Sequence, residues 1–368
     1  EMNSILANKK IDDELRKMPR PDFSRHLSDD IDSEVVDVLL ESVTQKFDIA
    51  QRYYWLKARL MSVPKLKYHE RNVPYGDAEK EYSFEDATNL VSEVFKNLDG
   101  EFADILKMFL DGGHIDVYPR KGKSDGAFCA HNLISQPVYI LLNHTGKLRD
   151  VLTFAHELGH GINNELTRQK QNALNFGSPL STAEVASTFM EDFVLEEILK
   201  EADDELRLAI MMSRLNDDIS TIFRQVACYN FEKELHQEFR QKGYLSKEDI
   251  GNIFQKHMAS YMGEAIEMSP GSENWWVYWS HIRNFFYVYS YASGLLISKS
   301  LQESTKADNG FVDEVKVFLA AGMSDSPKNI FKDLGIDISQ KEFWGKGIEQ
   351  IGDLLQRTED LAKKLGKI

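Results

Sequence analysis

The segment 151–160 constrains the fold of this 368-residue chain more than any other. His156 and His160 stand four residues apart, so on a helix they share one face and can direct two imidazoles at a single metal ion. Glu157 lies beside them, placed to touch a water on that ion. The other positions are almost all apolar, which predicts a buried helix; they include Leu152, Phe154, Ala155 and Leu158. Burying two histidines and a glutamate is costly without partners, and a metal ion supplies the partner. The pattern is typical of zinc peptidases.

A catalytic zinc site needs a third protein ligand and leaves the fourth position for water. Ser181 is a good N-cap for a second helix, and Glu184 then falls in the first turn, on an otherwise small and apolar surface. We therefore predict Glu184 as the third ligand of a site that binds one Zn²⁺ per chain. A ligand set of two histidines and one glutamate favours zinc over cobalt or manganese. Glu191, seven residues on, is either an acceptor for a ligand histidine or a solvated carboxylate.

The rest of the pattern predicts a mainly α fold with a small embedded β-sheet at about residues 113–145. Two β-type runs lie there, His114–Tyr118 and Pro137–Leu142, between glycine-rich turns. Elsewhere apolar residues recur at helical spacing. A helix is expected to stop near Gly243, and the tail from Lys341 to Ile368 is expected to form one or two amphipathic helices.

Composition narrows the class of protein. The net charge of -15 argues against a nucleic-acid partner, because such proteins usually present a basic face. No apolar stretch approaches the length of a membrane span, so no membrane partner is expected. Cys129 and Cys228 are too few for a disulfide framework and fit a reducing compartment such as the cytoplasm.

The motifs together resemble the oligoendopeptidase F family, relatives of thimet oligopeptidase in the wider thermolysin-like group. The resemblance begins with His156–His160 and Glu184–Phe189. It extends over nearly the whole chain, through Arg25–Leu27, Ile31–Val36, Gly126–Cys129, Tyr139–Asn143 and the segment from His281 to Gly294. It implies one helical zincin-type catalytic domain over residues 1–368, with a helical lead-in at 1–100 and the active-site region at 101–368.

The resemblance also implies a zinc endopeptidase that acts on short unstructured peptides. Glu157 would take a proton from the zinc-activated water and carry it to the leaving amine. His281, Tyr287 and Tyr291 are the candidate donors to the developing oxyanion, although the tyrosines could equally be core aromatics. Tyr289 points away from that face on a helix but belongs to the same substrate-binding segment.

The substrate backbone is expected to add to the strand Val138–Leu142, taken as an edge strand, which would place Tyr139 and Leu141 beside the peptide.

Two departures from the family pattern matter. Family members are commonly longer, with a large amino-terminal helical part, so this chain is expected to begin within the family's middle. One wall of the usual peptide channel would then be missing, or be supplied by a partner or a second copy in a homo-oligomer. Asn163 replaces a further histidine of many relatives; that histidine is not a ligand, so the zinc site is expected to survive.

Two other interpretations stay open. A helical zinc carboxypeptidase would need a cation for the substrate's terminal carboxylate, and Arg283 is the candidate. A peptide-binding protein with metal but weak catalysis is motivated by the incomplete channel, although Glu157 argues against it. A structural zinc site is disfavoured, because such sites are closed by four ligands and favour cysteine.

Overall fold

The computed structural model describes residues 1–76 and 80–368, which form two compact units. The first consists of Glu1–Gly76, Leu208–Leu296 and Ile338–Ile368. The second consists of Asp77–Arg207, of which residues 80–207 are described, and Ile297–Asp337. As a functional unit, the single catalytic domain expected over residues 1–368 stays a prediction.

The first unit is built from helices and one two-stranded parallel sheet. Its helices are α1 (Met2–Leu15), α2 (Phe23–Ser28), α3 (Ser33–Thr44), α4 (Phe47–Leu60), α10 (Arg224–Lys242), α11 (Lys247–Met262) and α15 (Lys341–Lys364). Its strands are β1 (Leu66–Lys67) and β5 (Ile266–Glu267). Two helices contribute residues to both units, α9 (Asp204–Asp218) and α12 (Tyr289–Ala307).

The second unit surrounds one long helix with shorter helices and a three-stranded sheet. Its helices are α5 (Phe84–Leu98), α6 (Gly100–Asp111), α7 (Leu148–Lys170), α8 (Val185–Glu201), α13 (Val312–Ala320) and α14 (Pro327–Asp333). Its strands are β2 (Ile115–Asp116), β3 (Phe128–Ala130) and β4 (Tyr139–Leu141).

The prediction of a mainly helical fold with a small sheet within residues 113–145 is confirmed, but the predicted edge strand is wrong. The strand order is β2-β4-β3, so β4 is the central strand. It pairs in parallel with β2 and antiparallel with β3, where Phe128 lies opposite Leu141 and Ala130 opposite Tyr139. Both sides of β4 are therefore occupied, and a peptide cannot add to Val138–Leu142.

The helix ends follow local chemistry. Gly243 ends α10 with a φ of 75°, a left-handed conformation that glycine adopts without strain. The Ser246 hydroxyl then accepts a hydrogen bond from the Asp249 backbone N–H at 3.0 Å and caps α11. The carboxyl-terminal tail forms a single helix, α15.

Helix α7 is the core of the second unit. Its apolar residues are almost fully buried, as the sequence predicted; they include Val151, Phe154, Ala155, Leu158 and Ile162. The Asp150 carboxylate accepts hydrogen bonds from the backbone N–H groups of Thr145 and Lys147, which satisfies donors at the start of the helix. Within the described ranges, no helix combines the length and the apolar character that a bilayer crossing needs.

Gly159 allows α7 and α8 to pack in close contact. A Cβ at this position would lie 2.6 Å from both the Ala186 carbonyl oxygen and the Ser187 Cα, distances that no side chain tolerates. Both neighbours are backbone atoms of α8, so they cannot rotate away. The absence of a side chain at position 159 therefore sets the separation of the two helices.

We expect Gly159→Ala to lower the free energy of unfolding by about 1–3 kcal/mol, because α8 must move away from α7. Gly345→Ala is the matched control, since a Cβ there meets nothing within 4 Å inside α15. It should raise stability by about 0.5–1 kcal/mol, the usual gain of alanine over glycine in a helix. Urea unfolding followed by circular dichroism measures both, and equal behaviour of the two variants would contradict the packing argument.

Candidate metal centre and its surroundings

The central turns of α7 carry His156 and His160 on one face, with Glu157 next to His156 in the sequence. The two imidazole rings lie 5.1 Å apart, centroid to centroid, with an interplanar angle of 80°. Both histidines are half-buried, and Glu157 is buried. The predicted pairing of the two rings on one helix face is what the structure shows.

Glu184 reaches the same place from the start of α8. Ser181 was expected to cap this helix, but residues 180–182 form a separate 3-10 turn, α8 begins at Val185, and Glu184 is its N-cap residue. The Glu184 side chain is directed away from the helix end and toward the histidines. The buried Ser187 hydroxyl donates to a Glu184 carboxylate oxygen at 3.0 Å, which fixes that orientation.

The spacing of these side chains fits a tetrahedral metal ion. Glu184 Oε2 lies 3.4 Å from His156 Nε2 and 3.5 Å from His160 Nε2. Ligand atoms bound to one ion at ~2.0–2.1 Å in tetrahedral geometry are about 3.3–3.4 Å apart, so the observed distances match. Among the residues that the structure describes, these three qualify as a group that could hold a metal ion, with ligand atoms within 4.8 Å of one another.

Glu191 contacts the outward nitrogen of one histidine. Its Oε2 lies 3.0 Å from His156 Nδ1, while His156 Nε2 is directed at Glu184. Of the two roles left open by the sequence, this distance favours the acceptor over a solvated carboxylate. A carboxylate on Nδ1 places the proton there and leaves Nε2 as the lone-pair donor that a metal requires.

The carboxylates dominate the electrostatics of the centre. Burial alone lowers the pKa of His156, but hydrogen bonds to Glu184 and Glu191 outweigh it and raise that pKa to about 10. Burial raises the pKa of Glu184, and the two histidines reverse this and hold it well below the usual range. Burial raises the pKa of Glu157, despite the opposing charges of the histidines. The centre therefore concentrates carboxylates around the two histidines, an arrangement that favours a cation.

A second cluster forms in the first unit, from His281, Tyr287 and Tyr291. His281 Nε2 lies 2.9 Å from the Tyr291 hydroxyl, and the two rings are stacked at 20°. The Tyr287 ring lies 5.5 Å from each of the other two rings. All three side chains are half-buried, and burial lowers the pKa of His281, so its imidazole is neutral at pH 7. The predicted grouping of Tyr287 with Tyr291 is present.

Tyr289 does not join this cluster. It is fully buried, and its hydroxyl donates to Asp29 Oδ2 at 2.8 Å. A side chain with no exposed surface and a paired hydroxyl cannot contact a peptide, so we assign Tyr289 to the scaffold. Tyr139 is half exposed and Leu141 half-buried on the central strand β4.

The remaining singled-out residues have local partners. Arg283 binds the Glu1 carboxylate through Nε and Nη2, at 3.0 and 2.7 Å. Asn163 is buried and donates to the Leu319 carbonyl at 2.6 Å, a packing contact with the end of α13. Both cysteines are free thiols. Ser187 was not identified from the sequence, although its position three residues after Glu184 was a usable signal.

Comparisons with known proteins give the family of this chain. The model of peptidase family M3 matches residues 28–350. The oligoendopeptidase F homolog of Lactococcus lactis subsp. lactis is 27% identical over 338 residues, 91% of this chain and 56% of that protein. Oligopeptidase PepF of Bacillus subtilis is 29% identical over 347 residues, 91% of this chain and 50% of that protein.

Solved structures share the fold. The crystal structure of oligoendopeptidase-F from Enterococcus faecium has a TM-score of 0.74 at 22% identity, covering 99% of this chain and 60% of that one. Metallocarboxypeptidase 1 of Trypanosoma cruzi has a TM-score of 0.58 at 15% identity, covering 95% of this chain and 76% of that one.

This chain thus spans about half the length of the curated relatives that it matches. The match to the family model, in contrast, runs through most of the present sequence and includes both histidines of the metal centre. The chain therefore belongs to peptidase family M3.

Proposed function

We propose that this chain is a zinc-dependent endopeptidase that hydrolyses internal bonds of short, unstructured oligopeptides. The observation that carries the proposal is the convergence of His156, His160 and Glu184 beside the buried carboxylate of Glu157. Three protein ligands leave one position open for water or substrate, which distinguishes a catalytic site from a structural one.

Zinc is the ion that we propose, one per chain. The tetrahedral spacing of two imidazole nitrogens and one carboxylate oxygen supports this choice. When bound, it supplies a Lewis acid that acidifies water and polarises the peptide carbonyl.

Glu157 is the proposed general base. It follows His156 directly in the sequence, and the charges of His156, His160 and Glu184 all act on its carboxylate, which supports a place beside the site. Burial raises its pKa, which makes the carboxylate a stronger base than an exposed glutamate. It takes a proton from the attacking water and then delivers the proton to the departing amine.

His281, Tyr287 and Tyr291 are the proposed donors to the developing oxyanion. A neutral imidazole and phenol hydroxyls donate hydrogen bonds without adding a net charge, and their partial burial makes those bonds stronger than in water. The 2.9 Å contact between His281 Nε2 and the Tyr291 hydroxyl uses the proton of one partner, so one of the two, not both, donates to the oxyanion, and the contact orients it before substrate binds.

The substrate backbone is proposed to add to β3, the edge strand Phe128–Ala130, rather than to β4. Leu141 and Tyr139 lie opposite Phe128 and Ala130, and therefore on the same face of the sheet. From the neighbouring strand they would contact alternate side chains of the peptide. Recognition through backbone hydrogen bonds predicts weak sequence selectivity.

The carboxypeptidase alternative is weaker. Arg283, the cation proposed for a substrate carboxylate, already binds Glu1. The fold itself does not separate the two activities, because a metallocarboxypeptidase shares it. A homo-oligomer stays a prediction, which light scattering of the zinc-loaded chain checks. A cytoplasmic location also stays a prediction, with which the two free thiols agree.

The zinc-loaded chain should cleave an internally quenched peptide that is blocked at both ends, and Glu157→Gln should lower the rate by about 10²–10⁴-fold, the usual contribution of a general base. The amide is nearly the same size as the carboxylate but cannot accept the proton. Glu197→Gln, on α8, is the matched control and should keep the parent rate.

Cleavage only of peptides with a free carboxyl terminus would favour the carboxypeptidase. Equal rates of peptide cleavage by the parent chain and Glu157→Gln would show that Glu157 is not the general base. Absence of cleavage by every form, with one zinc bound per chain, would favour a peptide-binding protein.

Removal of the His156 partner should weaken zinc binding. We expect Glu191→Ala to raise the zinc dissociation constant by about 10–100-fold, because the Nδ1 proton loses its acceptor and the ring its orientation. Competition with a chromophoric chelator measures the constant, with Glu197→Ala as control. A constant within twofold of the parent's would show that the contact does not support the metal.

A further inference from the structure

The segment that carries His281 and the two tyrosines contains an unusual turn. Phe285 and Phe286 have φ values of 44° and 56°, the left-handed region that residues other than glycine rarely adopt. Two such residues in succession are strained, so the surrounding structure must hold them there. The turn joins the 3-10 helix Ser280–Arg283 to the start of α12.

Arg25 holds the carbonyl side of this turn. Its Nη2 donates to the Asn284 carbonyl at 2.7 Å and its Nε to the Phe285 carbonyl at 3.1 Å. Its Nη1 donates to Asp29 at 3.2 Å, and the other Asp29 oxygen accepts the buried Tyr289 hydroxyl. The guanidinium thus ties two consecutive carbonyls to the same carboxylate that anchors α12.

Arg25 also contacts the cluster directly. Its guanidinium carbon lies 5.9 Å from the centroid of the Tyr287 ring, within the range of a cation–π interaction. One side chain therefore touches both the strained turn and one of the proposed oxyanion donors.

Glu232 holds the amide side of the turn from within the core. Its Oε1 accepts the Phe286 backbone N–H at 3.0 Å, and the carboxyl is completely buried. The neighbouring His236 ring packs against both phenylalanine rings, at 5.8 Å from Phe285 and 5.0 Å from Phe286. Burial raises the pKa of Glu232 to about 8, so at pH 7 the group is largely a neutral acid that still has an acceptor oxygen.

We propose that Arg25 and Glu232 are positioning residues that clamp the left-handed Phe285–Phe286 turn and thereby hold His281 against Tyr291. The turn connects the 3-10 helix that carries His281 to α12, which carries Tyr291, so its conformation bears on the 2.9 Å contact between His281 Nε2 and the Tyr291 hydroxyl. The consequence for catalysis rests on the proposed function; the consequence for the geometry of the cluster does not.

Arg25→Lys tests the carbonyl side. Lysine keeps the charge but cannot donate to two carbonyls and a carboxylate through a planar fork. We expect kcat to fall about 10–100-fold with KM within about twofold, because displaced donors act only on the transition state. Arg52→Lys is the matched control; Arg52 bridges α4 to Gln356 and Glu359 of α15, far along the chain from the turn.

Glu232 offers a pair of variants that separates positioning from folding. Glu232→Gln keeps an acceptor oxygen for the Phe286 N–H and should keep kcat within about threefold. Glu232→Met has a similar shape without an acceptor, and kcat should fall by about tenfold or more. Equal activity of the two variants would overturn the role of Glu232.

An NMR readout is independent of peptidase activity. The imidazole resonances of ¹⁵N-histidine-labelled chain, assigned for His281 with a His281→Gln variant, report the contact with Tyr291. Arg25→Lys and Glu232→Met should shift the His281 resonance, whereas Glu232→Gln and Arg52→Lys should not. If the parent chain cleaves no peptide but the two variants show these shifts, the proposed function is wrong and the clamp is supported. An unchanged His281 resonance in folded Arg25→Lys and Glu232→Met would overturn the clamp.

Discussion

The candidate site depends on the close packing of α7 against α8 at Gly159. The site draws two ligands from one helix and the third from the start of the other, so its dimensions are set by the distance between helix backbones. Because position 159 carries no side chain, the backbone of α8 lies against α7, and Glu184 Oε2 comes within 3.5 Å of both imidazoles. A larger separation would leave two histidines without their third partner.

The same packing brings several carboxylates close together, and their mutual repulsion is a cost that a bound cation would offset. Glu157 is buried, and Glu184 and Glu191 both contact His156, so several carboxylates share a small volume of low polarity. Without a cation His156 is drawn toward the charged form, as its raised pKa shows. A divalent ion held by His156, His160 and Glu184 would take the place of that proton and would offset the repulsion among the carboxylates. The site is thus organised for a cation before one arrives.

Sequence reasoning recovered what depends on short-range periodicity. The histidine pair, the burial of α7 and the helix end at Gly243 each follow from residues within one or two helical turns. The failures concern relations between distant segments. That β4 lies in the centre of its sheet depends on β2 and β3 pairing with it from both sides, which no local pattern encodes. The burial of Tyr289 against Asp29 likewise depends on a neighbour 260 positions away in the sequence. The proposed clamp joins Arg25 to Phe285, 260 positions away, and Glu232 to Phe286, 54 positions away.

Zinc K-edge X-ray absorption of the zinc-loaded chain tests the central claim most directly. The account predicts four light ligands, two of them imidazole nitrogens at ~2.0–2.1 Å, with oxygen at ~2.0–2.2 Å and no sulfur. Loss of one imidazole contribution in His160→Ala would accompany this result. A sulfur shell at ~2.3 Å, or a spectrum with fewer than two imidazoles, would place the metal elsewhere and contradict the account.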